Sequence, residues 1–273
     1  MKIGLALGSG GPRGLAHVGV LKLLLSYGIR PDIIAGTSIG ALIGGAFATM
    51  GSVEDVERLA YSADMRAVLS VLFDPALRTG LIKGEKAVEF LREHIGDPDI
   101  ASLSPAFCAV ATDIATGEPV VFDHGSLVHA IRASVSIPLM FQPVECDGQL
   151  LADGGLTQVV PARIARDHGA DVVIAVNLNA RLAEPLSSEQ RWPGVLRRVA
   201  GQSIAILQYN LARENCRAAD VVIAPDVYGI GWDSFWKPAQ VIEGGERAAQ
   251  AMLPEILALV GRERSRETPI APA

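Results

Sequence analysis

The order of apolar and polar positions predicts strands alternating with helices along most of the chain. Residues 2–7 form a short apolar run that reads as a first buried strand. A glycine-rich turn follows, then a helical pattern from about Gly14 to Tyr27, with Gly28 where a helix cap belongs. Pro31 and Asp32 lead into a second short strand, Ile33 to Ala35. The turn Gly36-Thr37-Ser38 then opens a small-residue helix toward Met50. Ser52 with Asp55 marks a helix start for residues 53–63. Residues 64–82 carry no clear period and are read as a mobile cap. A helix from Lys83 to His94, a strand pair at 107–112 and 119–122, and a helical stretch at 125–134 come next. Pro138 and Pro143 mark an irregular passage. Pro161 opens a helix that ends near His168. Val172 to Asn177 and Val221 to Ala224 are apolar strands, and helices at about 193–217 and 239–260 are expected to pack on the sheet. Strands and helices in alternation imply a mainly parallel sheet with helices on both faces, an α/β fold.

Length and composition narrow the function. At 273 residues the chain fits one large domain, placed over residues 1–262, with the charged and then proline-rich stretch 263–273 read as a flexible tail. Hydrophobic residues at 49% and charged residues at 20% argue for a packed core and against disorder. A net charge of −6 with no polybasic run argues against nucleic acid as a partner and against an anionic membrane anchor. No apolar run reaches the roughly 18 residues that a membrane span needs. The N-terminal run is too short and too broken by glycine for a signal peptide. Cys108, Cys146 and Cys216 are far apart and show no metal spacing, so they read as reduced packing thiols of a cytoplasmic protein. No metal cluster stands out, and neither a metal nor a cofactor is expected.

Three segments carry candidate chemistry. Gly36-Thr37-Ser38-Ile39-Gly40 is a G-x-S-x-G sequence between an apolar strand and a helix, the setting of a nucleophile elbow. A plain helix cap by Thr37 or Ser38 is the bland reading. Gly8-Ser9-Gly10-Gly11-Pro12-Arg13-Gly14 can turn several backbone N–H groups toward one anion. It fails the dinucleotide spacing, because Arg13 stands where a glycine is required, and no P-loop lysine follows. An oxyanion hole needs the same device. Leu150-Leu151-Ala152-Asp153-Gly154-Gly155 ends a short apolar run on an acid, which reads equally as a solvated turn or as a positioned base. Of the histidines, His17, His94, His124, His129 and His168, none has a clear catalytic context. His168 follows Asp153, as a Ser-His-Asp order would require.

These segments, together with Ala133-Ser134-Val135-Ser136-Ile137-Pro138 and in this order, resemble the patatin-like phospholipase family. The likeness is greatest to short bacterial members related to the catalytic domain of neuropathy target esterase, and its motifs lie within residues 3–165. The resemblance implies a three-layer α/β/α fold with a mainly parallel central sheet. It also implies a serine acyl hydrolase of lipid esters that works through a Ser38–Asp153 dyad without a catalytic histidine. The glycine loop would supply the oxyanion hole through Gly10, Gly11, Arg13 and Gly14. Gly36 and Gly40 would shape the elbow, and Gly154 and Gly155 the turn after the base. Ser9 stands where many members have a third glycine. Pro12 has no N–H to donate.

The partner expected on this reading is a lipid or acyl ester, and the oligomeric state is not legible. The runner-up is a lipid-binding or regulatory protein on the same fold. Trp232 and Trp236, with Tyr228 and Phe235, read either as loop packing or as an aromatic rim that meets membrane peripherally.

Overall fold

The structure, a computed structural model, describes residues 1–62, 84–138, 140–182, 194–227 and 238–267. The cap expected at 64–82 lies outside these residues, and so does the Tyr228–Trp236 cluster. In chain order the elements are β1 (Ile3–Leu7), α1 (Ala16–Ser26), β2 (Ile33–Thr37), α2 (Ile39–Met50), α3 (Val53–Tyr61) and α4 (Glu85–Ile95). They continue with β3 (Ala106–Asp113), β4 (Pro119–Phe122), α5 (Leu127–Ser134), β5 (Val144–Cys146) and β6 (Gln149–Asp153). The last are α6 (Ala162–Asp167), β7 (Val172–Val176), α7 (Gly194–Asn215), β8 (Val221–Ile223) and α8 (Pro238–Glu267).

The sheet is mixed and mostly parallel. β1 lies between β2 and β7, β2 pairs with β3, and β7 with β8, all in parallel. Each central strand is buried along its whole length, which is why the sequence shows continuous apolar runs there. The two faces still differ. Leu5, Leu7, Ile34 and Ile174 pack with α1, α2 and α8. Ala6, Ala35, Cys108 and Ala175 pack with α6 and Ala212 of α7. Large side chains on one face and small ones on the other place a helical layer on each side, giving three layers.

Among the described residues two strands, β4 and β6, run against the rest. β4 and β6 pair antiparallel with β3, and β5 with β6. The passage around Pro143 thus contains a hairpin where the sequence pattern suggested irregular chain. Its turn is Asp147-Gly148, with φ of 48° and 78°, the left-handed pair of a tight two-residue loop. At the C-terminus α8 runs to Glu267, beyond the helix end expected near 260 and into the stretch read as a tail. Residues 262–267 are mostly Arg and Glu, which favour helix.

Candidate active site

Register along β3 brings two distant segments together. Ala109 and Val110 pair with β2 on one edge and with β4 on the other. Ala111 pairs with Val120 of β4 and with Asp153 of β6. β2 and β6 therefore follow each other along the same edge of β3 and run toward one another. Thr37 stands opposite Val110 and Asp153 opposite Ala111, neighbouring positions. Ser38, the next residue after β2, meets Asp153 at this junction.

Ser38 is held in a strained turn. Its φ is 57° and ψ −122°, unusual for a residue with a side chain. The turn is tight because α2 starts against the end of β1: a Cβ on Gly40 would overlap the Leu7 carbonyl, and one on Gly36 would lie 2.5 Å from the Ala41 Cα. Ser38 thus caps α2 with its backbone, while its hydroxyl is turned away from the helix. Ser38 Oγ donates to Asp153 Oδ2 at 2.6 Å, with both residues buried.

Asp153 is fixed from several sides. Its Oδ1 accepts the Gly155 N–H at 2.7 Å, and its own N–H donates to the Ser136 carbonyl at 2.9 Å. Thr112 Oγ1 donates to the Asp153 carbonyl at 3.0 Å. Gly154 lies so close to β3 that a Cβ there would overlap the Val110 carbonyl. Burial is the dominant influence on the carboxyl and pushes its pKa up to about 6, against the smaller opposing effect of the Ser38 and Gly155 hydrogen bonds.

The glycine-rich loop leaves the carboxyl end of β1. Ser9 N–H donates to Val159 O, and residues Gly11–Leu15 form a 3-10 turn. Such a turn bonds the amides of Arg13 and Gly14 back to the carbonyls of Gly10 and Gly11. The amides of Gly10 and Gly11 precede it and bond to no described residue. Gly14 packs on Ile39, the residue after Ser38, and a Cβ would overlap that side chain. The Arg13 side chain bends back on the loop: Nε donates to Gly10 O at 3.2 Å and Nη2 to Asn179 Oδ1 at 3.1 Å. Asn179 Nδ2 in turn donates to Ser9 O at 2.7 Å. His17 is fully buried and donates from Nε2 to Gly8 O at 2.8 Å; burial pushes its pKa down to about 4, so it is neutral and serves as a brace.

A family model for patatin-like phospholipases matches residues 5–166, which hold the loop, Ser38 and Asp153. The chain belongs to the patatin-like phospholipase family. It is 38% identical over 217 residues to an uncharacterized NTE family protein of Mycobacterium tuberculosis, a match covering 78% of this chain and 59% of that one. It is 33% identical over 231 residues to patatin-like phospholipase domain-containing protein 7 of Rattus norvegicus, covering 78% of this chain and 17% of the rat protein. A second mycobacterial NTE family protein is 31% identical over 274 residues, with 92% and 46% covered. The chain thus spans about half the length of these mycobacterial relatives. Among solved structures VipD from Legionella pneumophila shares the fold, with a TM-score of 0.52 at 12% identity, over 93% of this chain and 66% of VipD.

The histidines stand elsewhere in this member of the family. His168 donates from Nδ1 to Ile164 O and faces Asp123 through Nε2 at 3.5 Å. His124 pairs with the same Asp123, and His94 bonds Phe90 O. No described bond links a histidine to Ser38 or Asp153. Among the described residues no cluster could hold a metal, and no helix is long and apolar enough to cross a membrane. A cavity of about 340 Å³ opens between α4, Arg132 and Gln142–Val144, lined by neither Ser38 nor Asp153. The contact of Ser38 with Asp153 therefore marks the site better than cavity volume does.

Sequence reasoning missed Ser134, Thr112 and Asn179, all buried at this site. Asn179 had a readable signal. It lies just past the carboxyl end of β7, and ligands of open α/β sheets gather at carboxyl ends of parallel strands.

Proposed function

We propose that this chain hydrolyses lipid carboxylic esters through an acyl-enzyme on Ser38, with Asp153 as the general base. The observation that carries this reading is the 2.6 Å hydrogen bond from Ser38 Oγ to the buried Asp153 carboxylate. Ser38 Oγ attacks the ester carbonyl carbon and its proton passes to Asp153. The carbonyl oxygen gains the negative charge and is met by backbone N–H groups of the loop, of which geometry favours Gly10 and Gly11 over Arg13 and Gly14. The N-terminus of α2 adds a favourable dipole. The alcohol leaves with the proton from Asp153. Water then attacks the acyl group, Asp153 takes the water proton, and Ser38 Oγ recovers it as the acid departs. A carboxyl raised to about 6 is a stronger base than an ordinary aspartate and still ionised at neutral pH. A lipid ester would be met at an aggregate or membrane surface, which makes peripheral contact part of this reading.

Labelling by a fluorophosphonate tests it, together with hydrolysis of lysophospholipids and of esters of graded chain length. Wild type should label and turn over, and Ser38→Ala should do neither. Turnover that persists in Ser38→Ala removes the acyl-enzyme. Lipid binding by a wild type that neither labels nor hydrolyses would favour a binding protein.

A further inference from the structure

The segment Ser134-Val135-Ser136 has no part in the reaction described above, yet it touches both of its ends. Ser38 N–H has no strand partner, because β2 stops at Thr37 and β6 arrives on the same edge of β3. Its hydrogen bond goes to Ser134 Oγ at 2.8 Å. Ser134 Oγ donates its own hydrogen bond to Val110 O at 2.6 Å, on the β3 residue opposite Thr37. One hydroxyl thus accepts from the nucleophile's backbone and donates to the strand beside it, which uses its single proton. Two residues on, the Ser136 carbonyl accepts the N–H of Asp153 at 2.9 Å. The segment is itself laced to the end of α5. Arg132 Nη1 donates to Ser136 Oγ at 2.6 Å, Ser136 Oγ donates to Arg132 O at 2.8 Å, and Arg132 Nη2 donates to Gln142 O at 3.0 Å.

We propose that Ser134 is a positioning residue of the reaction, and that the Ser134–Ser136 segment sets the separation of nucleophile and base by holding the backbone of each. The proposal rests on the acyl-enzyme reading of Ser38. Its physical basis is the strained turn. A positive φ at Ser38 persists only where the surroundings over-determine it, and the Ser134 hydroxyl is the side-chain group that fixes the amide of that residue. The bond also removes Ser38 N–H from the pool of oxyanion donors. Losing the hydroxyl lets the turn relax and lengthens the Ser38–Asp153 contact. Small displacements of this kind cost about 10²-fold in rate.

The test compares Ser134→Ala, Ser134→Cys and Ser134→Thr in ester hydrolysis, with thermal melting of each. Cysteine restores the size of serine but bonds weakly, and threonine restores the hydroxyl. The expected result is a fall in kcat of about 10²-fold for the alanine and cysteine variants. KM should stay near wild type, and activity should return with threonine. A kcat equal to wild type in Ser134→Cys shows that the site needs only volume, and overturns the proposal. So does a loss confined to KM. Ser38→Ala separates the two failures. Turnover persisting in Ser38→Ala removes the acyl-enzyme reading itself. Turnover abolished in Ser38→Ala but unchanged in Ser134→Ala removes the positioning role alone.

Discussion

Ser38 and Asp153 stand at the ends of strands that converge on one edge of β3, and they are held there by different means. Ser38 is fixed mainly by its own neighbourhood, a strained backbone between Gly36 and Gly40 and the helix it begins, with one long-range bond from its amide to Ser134 Oγ. Asp153 is fixed at long range. Its strand reaches β3 through a hairpin, and its bonds come from Thr112, Ser136 and Gly155. The turn of Ser38, the proposed nucleophile, is therefore written mainly in five consecutive residues. The environment of Asp153, the proposed base, is assembled mostly from chain outside its own turn, and burial there is what pushes the carboxyl pKa up.

The strongest way to break this contrast is Asp153→Asn. Asparagine keeps the shape but, with its oxygen on the Gly155 N–H, turns its amide NH2 to Ser38 Oγ and cannot take the serine proton. Turnover should fall by about 10²–10⁴-fold, the range of general-base catalysis. Undiminished turnover would mean that the burial of Asp153 serves packing only. In wild type, kcat/KM should climb with pH as the carboxyl ionises and level off above about 6. A rise centred near the ordinary aspartate value would show that the environment leaves the base unperturbed.

The same variant should gain stability. The folded protein holds a proton on Asp153 up to about pH 6, whereas an unfolded aspartate releases it near ~3.9. Between those values the folded state binds more protons, so stability is lost as pH rises through the window. Asp153→Asn has no such loss. It should unfold at higher denaturant than wild type above pH 6, by up to about 3 kcal/mol, and lose that advantage below pH 4. Equal urea midpoints at pH 8 would count against a costly buried carboxylate.

Gly154→Ala sharpens the contrast from the side of the turn. Its methyl would press on the Val110 carbonyl, which is backbone and cannot step aside. A cost of about 1–3 kcal/mol in a urea titration is expected, with a larger loss of activity than melting alone explains. The reason is that Val110 O also receives the Ser134 hydroxyl. A neutral result would show that β3 and the turn adjust independently.

The contrast also accounts for what the sequence disclosed. The parallel core was legible because its strands are unbroken apolar runs, as in Val172–Val176. The elbow was legible because five adjacent residues define it. The hairpin before Asp153 was overlooked behind two prolines, although Asp147-Gly148 is a strong short-range hairpin signal. The end-to-end meeting of β2 and β6 was not readable at all. It depends on the register of β3 against two strands, and the residues it joins are 115 positions apart. Ser134 was visible inside a motif, but a lone serine gives no hint of which amide it will cap.

The smallest expected effect belongs to His168, the histidine whose place in the chain best suited a triad. It sits on the surface at the end of α6, with Nδ1 engaged by Ile164 O and Nε2 beside Asp123. Neither nitrogen is directed to Ser38 or Asp153 by any described bond. A partly exposed histidine–carboxylate pair of this kind is worth under about 1 kcal/mol. His168→Ala should therefore leave kcat and its pH profile as in wild type and shift the urea midpoint only slightly. A loss of kcat with the protein still folded would give the base role to a histidine. Asp153 would then orient that histidine, and the contrast between the Ser38 turn and the Asp153 environment would have to include a third residue.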